Sequence, residues 1–224
     1  MKFVAFNGSP SGKASATGRI IEAFLAGARR AGAEADCYHL CEYNIEQCRG
    51  CFSCWFRSPG QCVLRDDMPE LLNAYQTADV VCFGSPVYSW NMTALLKNFV
   101  DRLVPLKSPL LTHQNGHFDM ADTQKREQRY VAISNCGFPG ENNFEIIKAA
   151  FSICNPALEI YRNCGKLLMS KQPDVQDTVH QYLTAVEQAG YEFAATGTVS
   201  AEALALLDRS LMSTADYVKF LGMQ

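Results

Sequence analysis

Residues 2–17 read KFVAFNGSPSGKASAT, and this stretch decides the fold. Residues 2–6 form a short apolar run typical of a buried strand, and a loop rich in glycine, serine and proline follows it. The loop leads directly into a helix predicted over 15–31, whose apolar residues recur at helical spacing and which Gly32 can end. A buried strand, a small-residue loop and an amphipathic helix in succession predict the first βα unit of a parallel α/β sheet.

Apolar runs and helical stretches alternate along the rest of the chain, as in a doubly wound α/β fold with a five-stranded parallel sheet. Four further strands are predicted at 35–40, 80–84, 130–134 and 158–161. Four further helices are predicted at 93–103, 141–153, 174–194 and 201–220. We expect one domain over residues 1–224, with a cysteine-rich loop at 48–62 and extra C-terminal helices within 174–222.

Residues 106–128 are polar and rich in turn formers, and they are predicted to form a long surface loop. They include His113, His117, Asp119 and Asp122. The spacing of these four residues fits no known metal-ligand pattern, so we interpret them as solvated loop residues and predict no metal there.

The composition is that of a globular protein and argues against several function classes. The chain has 224 residues, of which 48% are hydrophobic and 19% charged, as expected of a chain with a sizeable core. The net charge of -3 argues against a nucleic-acid partner. No apolar run is long enough to span a bilayer, and residues 1–7 lack the layout of a signal peptide. We therefore expect a cytoplasmic protein without a membrane partner, whose ten cysteines are thiols or ligands rather than disulfides.

The loop at 8–17 has the character of an anion site. In a parallel sheet, ligands bind beyond the carboxyl ends of the strands. This loop offers backbone N–H groups at a helix N-terminus together with the hydroxyls of Ser9, Ser15 and Thr17, which suits a phosphate monoester. It lacks the Walker pattern and the three-glycine dinucleotide pattern. The alternative is an ordinary strand-to-helix turn with a serine cap.

Two further loops follow predicted strands at the same edge of the sheet. Residues 85–92 place Tyr88 and Trp90 after a buried strand, where a planar ligand could pack against them. The alternative is a hydrophobic plug in the core. Residues 135–140 are small or polar, and Gly137 would allow a close approach of a ligand to the backbone.

Four short motifs together carry a family resemblance. They are Asn7-Gly8-Ser9-Pro10, Ser15 with Thr17, Ser85-Pro86-Val87-Tyr88 and Leu96-Lys97-Asn98-Phe99-Val100-Asp101-Arg102. With them the chain resembles the flavodoxin-like NAD(P)H-dependent FMN reductase family, in the branch called multimeric flavodoxin-like, which includes iron–sulfur flavoproteins. The resemblance implies a sheet of order 2-1-3-4-5, non-covalent FMN, NADH or NADPH as electron donor, a small acceptor such as a quinone or a flavin, and a homodimer or homotetramer.

The resemblance also implies which residues contact the flavin, whereas no catalytic side chain is expected because FMN carries the chemistry. The implied phosphate contacts are Ser9, Ser11, Lys13, Ser15, Ala16 and Thr17. The implied ring contacts are Pro86, Val87, Tyr88, Ser89, Trp90, Asn91 and Met92, followed after the fourth strand by Cys136, Gly137 and Phe138. We expect Asn135 to contact the flavin as well, because of its position directly after that strand. Where the family often has arginine and asparagine, this chain has Ser11 and Ala16, so we expect weaker FMN binding, with Lys13 as a substitute cation.

The cysteines at 48, 51, 54 and 62 form the sharpest pattern in the sequence. The pattern resembles the compact motif of iron–sulfur flavoproteins, and its spacing suits a [4Fe–4S] cluster. The alternatives are a zinc ion, three cysteines packed on one helical face, and a reactive thiol pair that cycles with the flavin.

The sequence thus supports three functions. The first is an FMN-dependent NAD(P)H oxidoreductase, the second an iron–sulfur flavoprotein that carries single electrons, and the third a flavodoxin-type electron shuttle. The modest net charge and the aromatic loop argue against the shuttle, which would need an acidic docking face.

Overall fold

A computed structural model of the chain describes residues 1–114, 117–123 and 127–222. The described strands are β1 (Lys2–Asn7), β2 (Glu34–His39), β3 (Val80–Pro86), β4 (Lys107–Gln114), β5 (His117–Asp122), β6 (Arg129–Asn135) and β7 (Leu158–Arg162). Five of them form one sheet in the order β2-β1-β3-β6-β7, and every neighbouring pair is parallel. All the predicted strands are therefore present in one parallel sheet.

Strands β4 and β5 form a separate antiparallel hairpin, and this corrects the prediction of a surface loop at 106–128. The expected order 2-1-3-4-5 counted five strands. The hairpin follows the third of them in the chain, so the fourth and fifth strands of the sheet are numbered β6 and β7. His113 lies in β4 with its ring 4.6 Å from that of Phe118, and Asp119 lies in β5. The side chains of His117 and Asp122 are outside the described residues.

Helices cover both faces of the sheet. The described helices are α1 (Ala16–Arg30), α2 (Ser53–Phe56), α3 (Met68–Thr77), α4 (Ala94–Asp101), α5 (Glu145–Ser152), α6 (Pro173–Thr196), α7 (Ala201–Asp208) and α8 (Thr214–Phe220). Apolar residues of α1, α6, α7 and α8 pack on one face of the sheet, and those of α3, α4 and α5 pack on the other. Alternate residues of β1 point into the two cores, because side chains in a strand alternate between faces.

Helices α1 and α6 approach each other at backbone distance. A Cβ atom at Gly27 of α1 would lie 1.8 Å from the carbonyl oxygen of Glu187, and one at Gly190 of α6 would lie 2.0 Å from that of Phe24. Glycine at both positions removes the side chains that would hold the two helices apart.

The C-terminal part is two short helices, although the sequence predicts one helix over 201–220. Helix α7 ends at Asp208, and the hydroxyl of Ser213 accepts a hydrogen bond from Asp216 to cap α8. The break lets α8 turn back so that Tyr217 is fully buried in the core. Among the described residues, none of the helices has the length and apolar character that a bilayer crossing requires.

Candidate functional site

A cleft of about 370 Å³ lies at the carboxyl edge of the sheet and brings together residues from all three loops singled out in the sequence. The predicted residues that line it are Ser9, Ser11, Ser15, Ala16 and Thr17 from the first loop, Pro86, Val87 and Tyr88 from the second, and Asn135 and Gly137 from the third. Strands β1, β3 and β6 are neighbours in the sheet, so the loops that follow them converge.

The remaining predicted residues lie outside this lining. They are Lys13, Ser89, Trp90, Asn91, Met92, Cys136 and Phe138. Lys13, the expected substitute cation, is exposed to solvent and is not among the residues that line the cleft.

Four residues that were not predicted complete the lining of the cleft: Ala14, Gly165, Lys166 and Met169. Lys166 is the only Lys or Arg, and no Asp or Glu occurs, among the described lining residues. The cleft thus carries a positive charge on the side of β7. Residues 165–169 follow the fifth strand of the sheet, so the rule that led to the other three loops could have found them.

Two of the four hydroxyls in the first loop, those of Ser15 and Thr17, are engaged within the protein. Ser15 donates to the carbonyl of Gly12 at 2.6 Å and accepts from the N–H of Gly18, which caps α1. Thr17 donates to Oδ1 of Asn135 at 2.6 Å. An anion at this helix N-terminus can bind the backbone N–H groups of the first turn, which have no partner inside the helix, and the hydroxyls of Ser9 and Ser11, which line the cleft.

A strained turn after β3 presents two exposed aromatic rings, of which that of Tyr88 lines the cleft. The N–H of Tyr88 donates to the carbonyl of Asn91 and the N–H of Asn91 donates to that of Tyr88, so the chain reverses over two residues. Ser89 and Trp90 at its centre have φ of 47° and 64°, a region that costs free energy for residues other than glycine. Tyr88 and Trp90 are 55% and 59% exposed, which excludes the interpretation of the loop as a plug in the core.

The loop after β6 is held by the C-terminal helix α8. The Tyr217 hydroxyl donates to the carbonyl of Gly137 at 2.7 Å, and the Cys136 thiol donates to the carbonyl of Phe138. Burial raises the pKa of Cys136 to about 11, so this thiol is neutral and unreactive at neutral pH. A Cβ atom at Gly137 would meet only Cε of Lys166, at 3.8 Å, so this glycine leaves open space in the cleft.

The donor set of the cleft fits FMN. Helix-terminal N–H groups and Lys166 suit a phosphate and an electron-rich ring edge, and Tyr88 and Val87 offer a flat apolar wall. The open space at Gly137 would admit a planar ring close to the backbone. The residues present can therefore hold the cofactor that the sequence predicts.

The four cysteines of the motif line a second cavity, together with Arg102 and Pro105. The cavity lies where the segment 43–67 meets the end of α4. Only Cys54 lies in the short helix α2, while Cys48 and Cys51 precede it. The alternative in which three cysteines share one helical face is therefore wrong, because the helix at this position has a single turn.

The thiols in this cavity differ in character. A hydrogen bond from Ser53 lowers the pKa of the exposed Cys51, whereas burial raises the pKa of Cys54. Within the described ranges, no three His, Cys, Asp or Glu side chains are placed to hold one metal ion. A zinc ion would require ligand sulfurs about 3.8 Å apart. A [4Fe–4S] cluster bonds each thiolate to a different iron atom, so its ligand sulfurs stand farther apart.

Contacts from α4 and the turn after it hold the cysteine segment in place. Asn98 donates to the carbonyl of Ile45 at 2.6 Å, and the indole N–H of Trp55 donates to the carbonyl of Val104 at 3.1 Å. Arg102 forms an ion pair with Asp66 at 2.5 Å, and their side chains are 1% and 0% exposed. The helix that carries the last of the four family motifs thus supports the cysteine segment.

Comparison with known proteins agrees with this geometry. The sequence model of the NADPH-dependent FMN reductase family matches residues 1–119. An iron-sulfur flavoprotein of Archaeoglobus fulgidus is 38% identical in an alignment 210 residues long that covers 85% of this chain and 93% of that protein. A second iron-sulfur flavoprotein of that organism is 35% identical over 102 residues, 46% of this chain and 48% of that protein, so the chain spans about half the length of this relative.

Solved structures share the fold. An NAD(P)H:quinone oxidoreductase from Methanothermobacter marburgensis superposes with a TM-score of 0.59 at 17% identity, covering 86% of this chain and 94% of that one. The family match covers more than half of the chain, and the first relative aligns over nearly its whole length. The predicted resemblance is confirmed, and the chain belongs to the NADPH-dependent FMN reductase family.

Proposed function

We propose that the protein is an FMN-dependent oxidoreductase that passes electrons from NADH or NADPH to a small acceptor such as a quinone or a flavin. The observation that carries the proposal is the convergence of three loops on one cleft with a helix N-terminus, a lysine and an aromatic wall. Bound FMN would supply the redox chemistry, as cofactors do in enzymes of this kind.

The residues of the chain would bind and orient the flavin. The first turn of α1 would hold the phosphate through backbone N–H groups. Lys166 would place a positive charge beside the ring, where charge tunes a flavin's affinity for electrons. Tyr88 and Trp90, both exposed, would shape the space that the nicotinamide and the acceptor occupy in turn.

The first test is the visible spectrum of the protein purified without oxygen, before and after addition of NADH or NADPH. We expect a flavin spectrum that bleaches on addition of the nicotinamide and returns on addition of a quinone. A protein that stays colourless and takes up no FMN on titration would contradict the proposal. A protein that binds FMN but oxidises neither nicotinamide would instead be the flavodoxin-type shuttle.

Gly137→Val tests the site within the cleft. A Cβ at this position meets only Cε of Lys166 at 3.8 Å, so the fold should tolerate the change while the added methyl groups fill the space for the ring. We expect at least a tenfold rise in the Kd for FMN, which is a loss of about 1.4 kcal/mol. FMN retention equal to that of the unaltered protein would show that the flavin does not approach this backbone.

A second candidate function is an iron–sulfur flavoprotein, in which a [4Fe–4S] cluster exchanges single electrons with FMN. The observation that favours it is the lining of one cavity by Cys48, Cys51, Cys54 and Cys62. These cysteines would be the ligands, and a cluster there would supply one-electron chemistry beside the two-electron chemistry of a flavin.

Iron, sulfide and zinc analysis of the protein purified without oxygen tests the cluster. We expect iron and sulfide in equal amounts, and their loss in Cys51→Ala. Cys154→Ala is the matched control, because Cys154 lies outside the cavity. Zinc in place of iron, or no metal, would contradict the cluster while leaving the FMN proposal intact.

A further inference from the structure

Arg102 is a buried cation at the wall of the cysteine cavity. Its side chain is 1% exposed, although charged side chains are rarely buried unless they are paired. The cavity that it lines also contains all four cysteines of the motif. The guanidinium of Arg102 is thus a buried positive charge in the same cavity as four thiols.

The hydrogen bonds of Arg102 account for only part of its donor capacity. Nη1 donates to the carbonyl of Glu46 and to Asp66, both at 2.5 Å, and Nη2 donates to Asp66 at 3.1 Å. Asp66 also accepts from the backbone N–H groups of Glu46 and Met68. The carboxylate and its partners thus fix the plane of the guanidinium.

The N–H of Nε is left without an acceptor. Nε of Arg102 is buried and has no hydrogen-bond partner among the described residues. A buried donor without an acceptor destabilises the fold, so the position of this donor points to an acceptor that the site gains on binding. Cys62 is close enough to interact with the guanidinium by charge and hydrogen bonding.

We propose that Arg102 positions and tunes an iron–sulfur cluster by donating its Nε–H to the sulfur of Cys62. The inference rests on the cluster proposed above as the second candidate function. A metal-bound thiolate is a stronger acceptor than a neutral thiol, so cluster binding would satisfy the free donor. Hydrogen bonds to ligand sulfurs help to set the reduction potential of such clusters, because they stabilise the added negative charge of the reduced form.

Asp66 would act through Arg102. It holds the guanidinium in one orientation, as second-layer carboxylates do for histidine ligands of zinc. Only an arginine can meet these demands together, because its planar fork offers five donors, whereas the lysine ammonium is a single point that cannot reach Asp66 and Cys62 at once.

Arg102→Lys tests the inference, because it keeps the charge beside Asp66 and removes the Nε donor. We expect the variant to keep its iron and sulfide and to show a more negative cluster reduction potential in a titration monitored by electron paramagnetic resonance. Arg65→Lys is the matched control, since Arg65 is exposed and should leave the potential unchanged. Asn98→Ala loosens the segment near Ile45 without removing the donor, and it should lower iron content at an unchanged potential.

The outcomes separate the two proposals. Unaltered protein without iron and sulfide would overturn the cluster and this inference together. A loaded Arg102→Lys protein with the potential of the unaltered protein would overturn the inference alone.

Should Arg102→Lys lose its iron, a measurement on a chain that retains Arg102 decides. Protein labelled with ¹⁵N-arginine, in an Arg49→Lys background that removes the other arginine lining the cavity, should show ¹⁵N hyperfine coupling to the reduced cluster. The absence of coupling would overturn the inference.

Discussion

Tyr217→Phe removes one oxygen atom that joins the C-terminal helix to the cleft. The Tyr217 hydroxyl donates to the carbonyl of Gly137 at 2.7 Å from a fully buried ring. Loss of the bond should lower the free energy of unfolding by about 1–2 kcal/mol. For a chain of this size, each kcal/mol lost lowers Tm by about 2–4 °C. Because Gly137 lines the cleft, we also expect a rise in the Kd for FMN of up to about tenfold, equivalent to 1.4 kcal/mol.

The assays are urea unfolding of the FMN-free protein and FMN titration followed by flavin fluorescence. Tyr182→Phe is the matched control, because the Tyr182 hydroxyl is also buried but has no hydrogen-bond partner among the described residues. It makes the same chemical change without breaking a bond and removes a buried hydroxyl that has no partner, so it should leave stability unchanged or raise it. Equal effects of the two substitutions would refute the assignment of a role to the bond with Gly137.

The effect of Tyr217→Phe should depend on pH at the alkaline end. Burial raises the pKa of Tyr217 to about 12, above the value of about 10 in an unfolded chain. The stability contributed by the neutral phenol is therefore fully present below about pH 10 and is lost as pH rises toward 12. We expect the stability difference between Tyr217→Phe and the unaltered protein to be constant up to about pH 10 and to shrink above it.

Three further substitutions test the core, the buried ion pair and the charge of the cleft. Gly190→Ala should destabilise the protein by about 1–3 kcal/mol in urea unfolding, because its Cβ would lie 2.0 Å from the carbonyl of Phe24; unchanged stability would contradict the close approach of α1 and α6. Asp66→Asn leaves Arg102 unpaired and should cost about 3–5 kcal/mol at pH 7. Burial raises the pKa of Asp66, but Arg102 and backbone N–H groups lower it overall. The stability that the ionised Asp66 contributes is therefore present above about pH 4 and lost as pH falls further. Unfolding of Asp66→Asn followed across this pH range should not show that acid-induced loss of stability. Lys166→Gln should raise the Kd for FMN about two- to fivefold, since an exposed charge contributes about 0.5–1 kcal/mol; an unchanged Kd at low salt would exclude Lys166 as the cation of the cleft.

The parallel sheet could be predicted from the sequence because its central strands β1, β3 and β6 are buried on both faces. Residues 80–84 have no polar alternation, and the loops between strands carry clear helix caps, such as Thr93 before α4. The hairpin β4–β5 was not predicted because its residues are polar and mostly exposed. Its signal in the sequence is the dipeptide Asn-Gly at 115–116, which commonly connects hairpin strands.

The cleft was predicted in part, because the rule that ligands bind beyond strand ends depends only on strand order. Lys166 was missed because it follows the fifth strand, whose loop carries no glycine-rich or aromatic motif. The ion pair of Arg102 with Asp66 was also missed, since it joins residues 36 positions apart. Contacts of this kind depend on how a segment folds back, and local patterns in the sequence do not record them.

The glycine contacts between α1 and α6 have a consequence for how the chain is made. One helix is complete by Arg30, whereas its partner ends only at Thr196. During synthesis, α6 cannot cover its part of this face of the sheet until most of the chain has left the ribosome. Contacts between such distant segments slow folding and leave apolar surface exposed to aggregation. We expect nascent chains that stop before Thr196 to depend on chaperones, whatever the state of the cofactor sites.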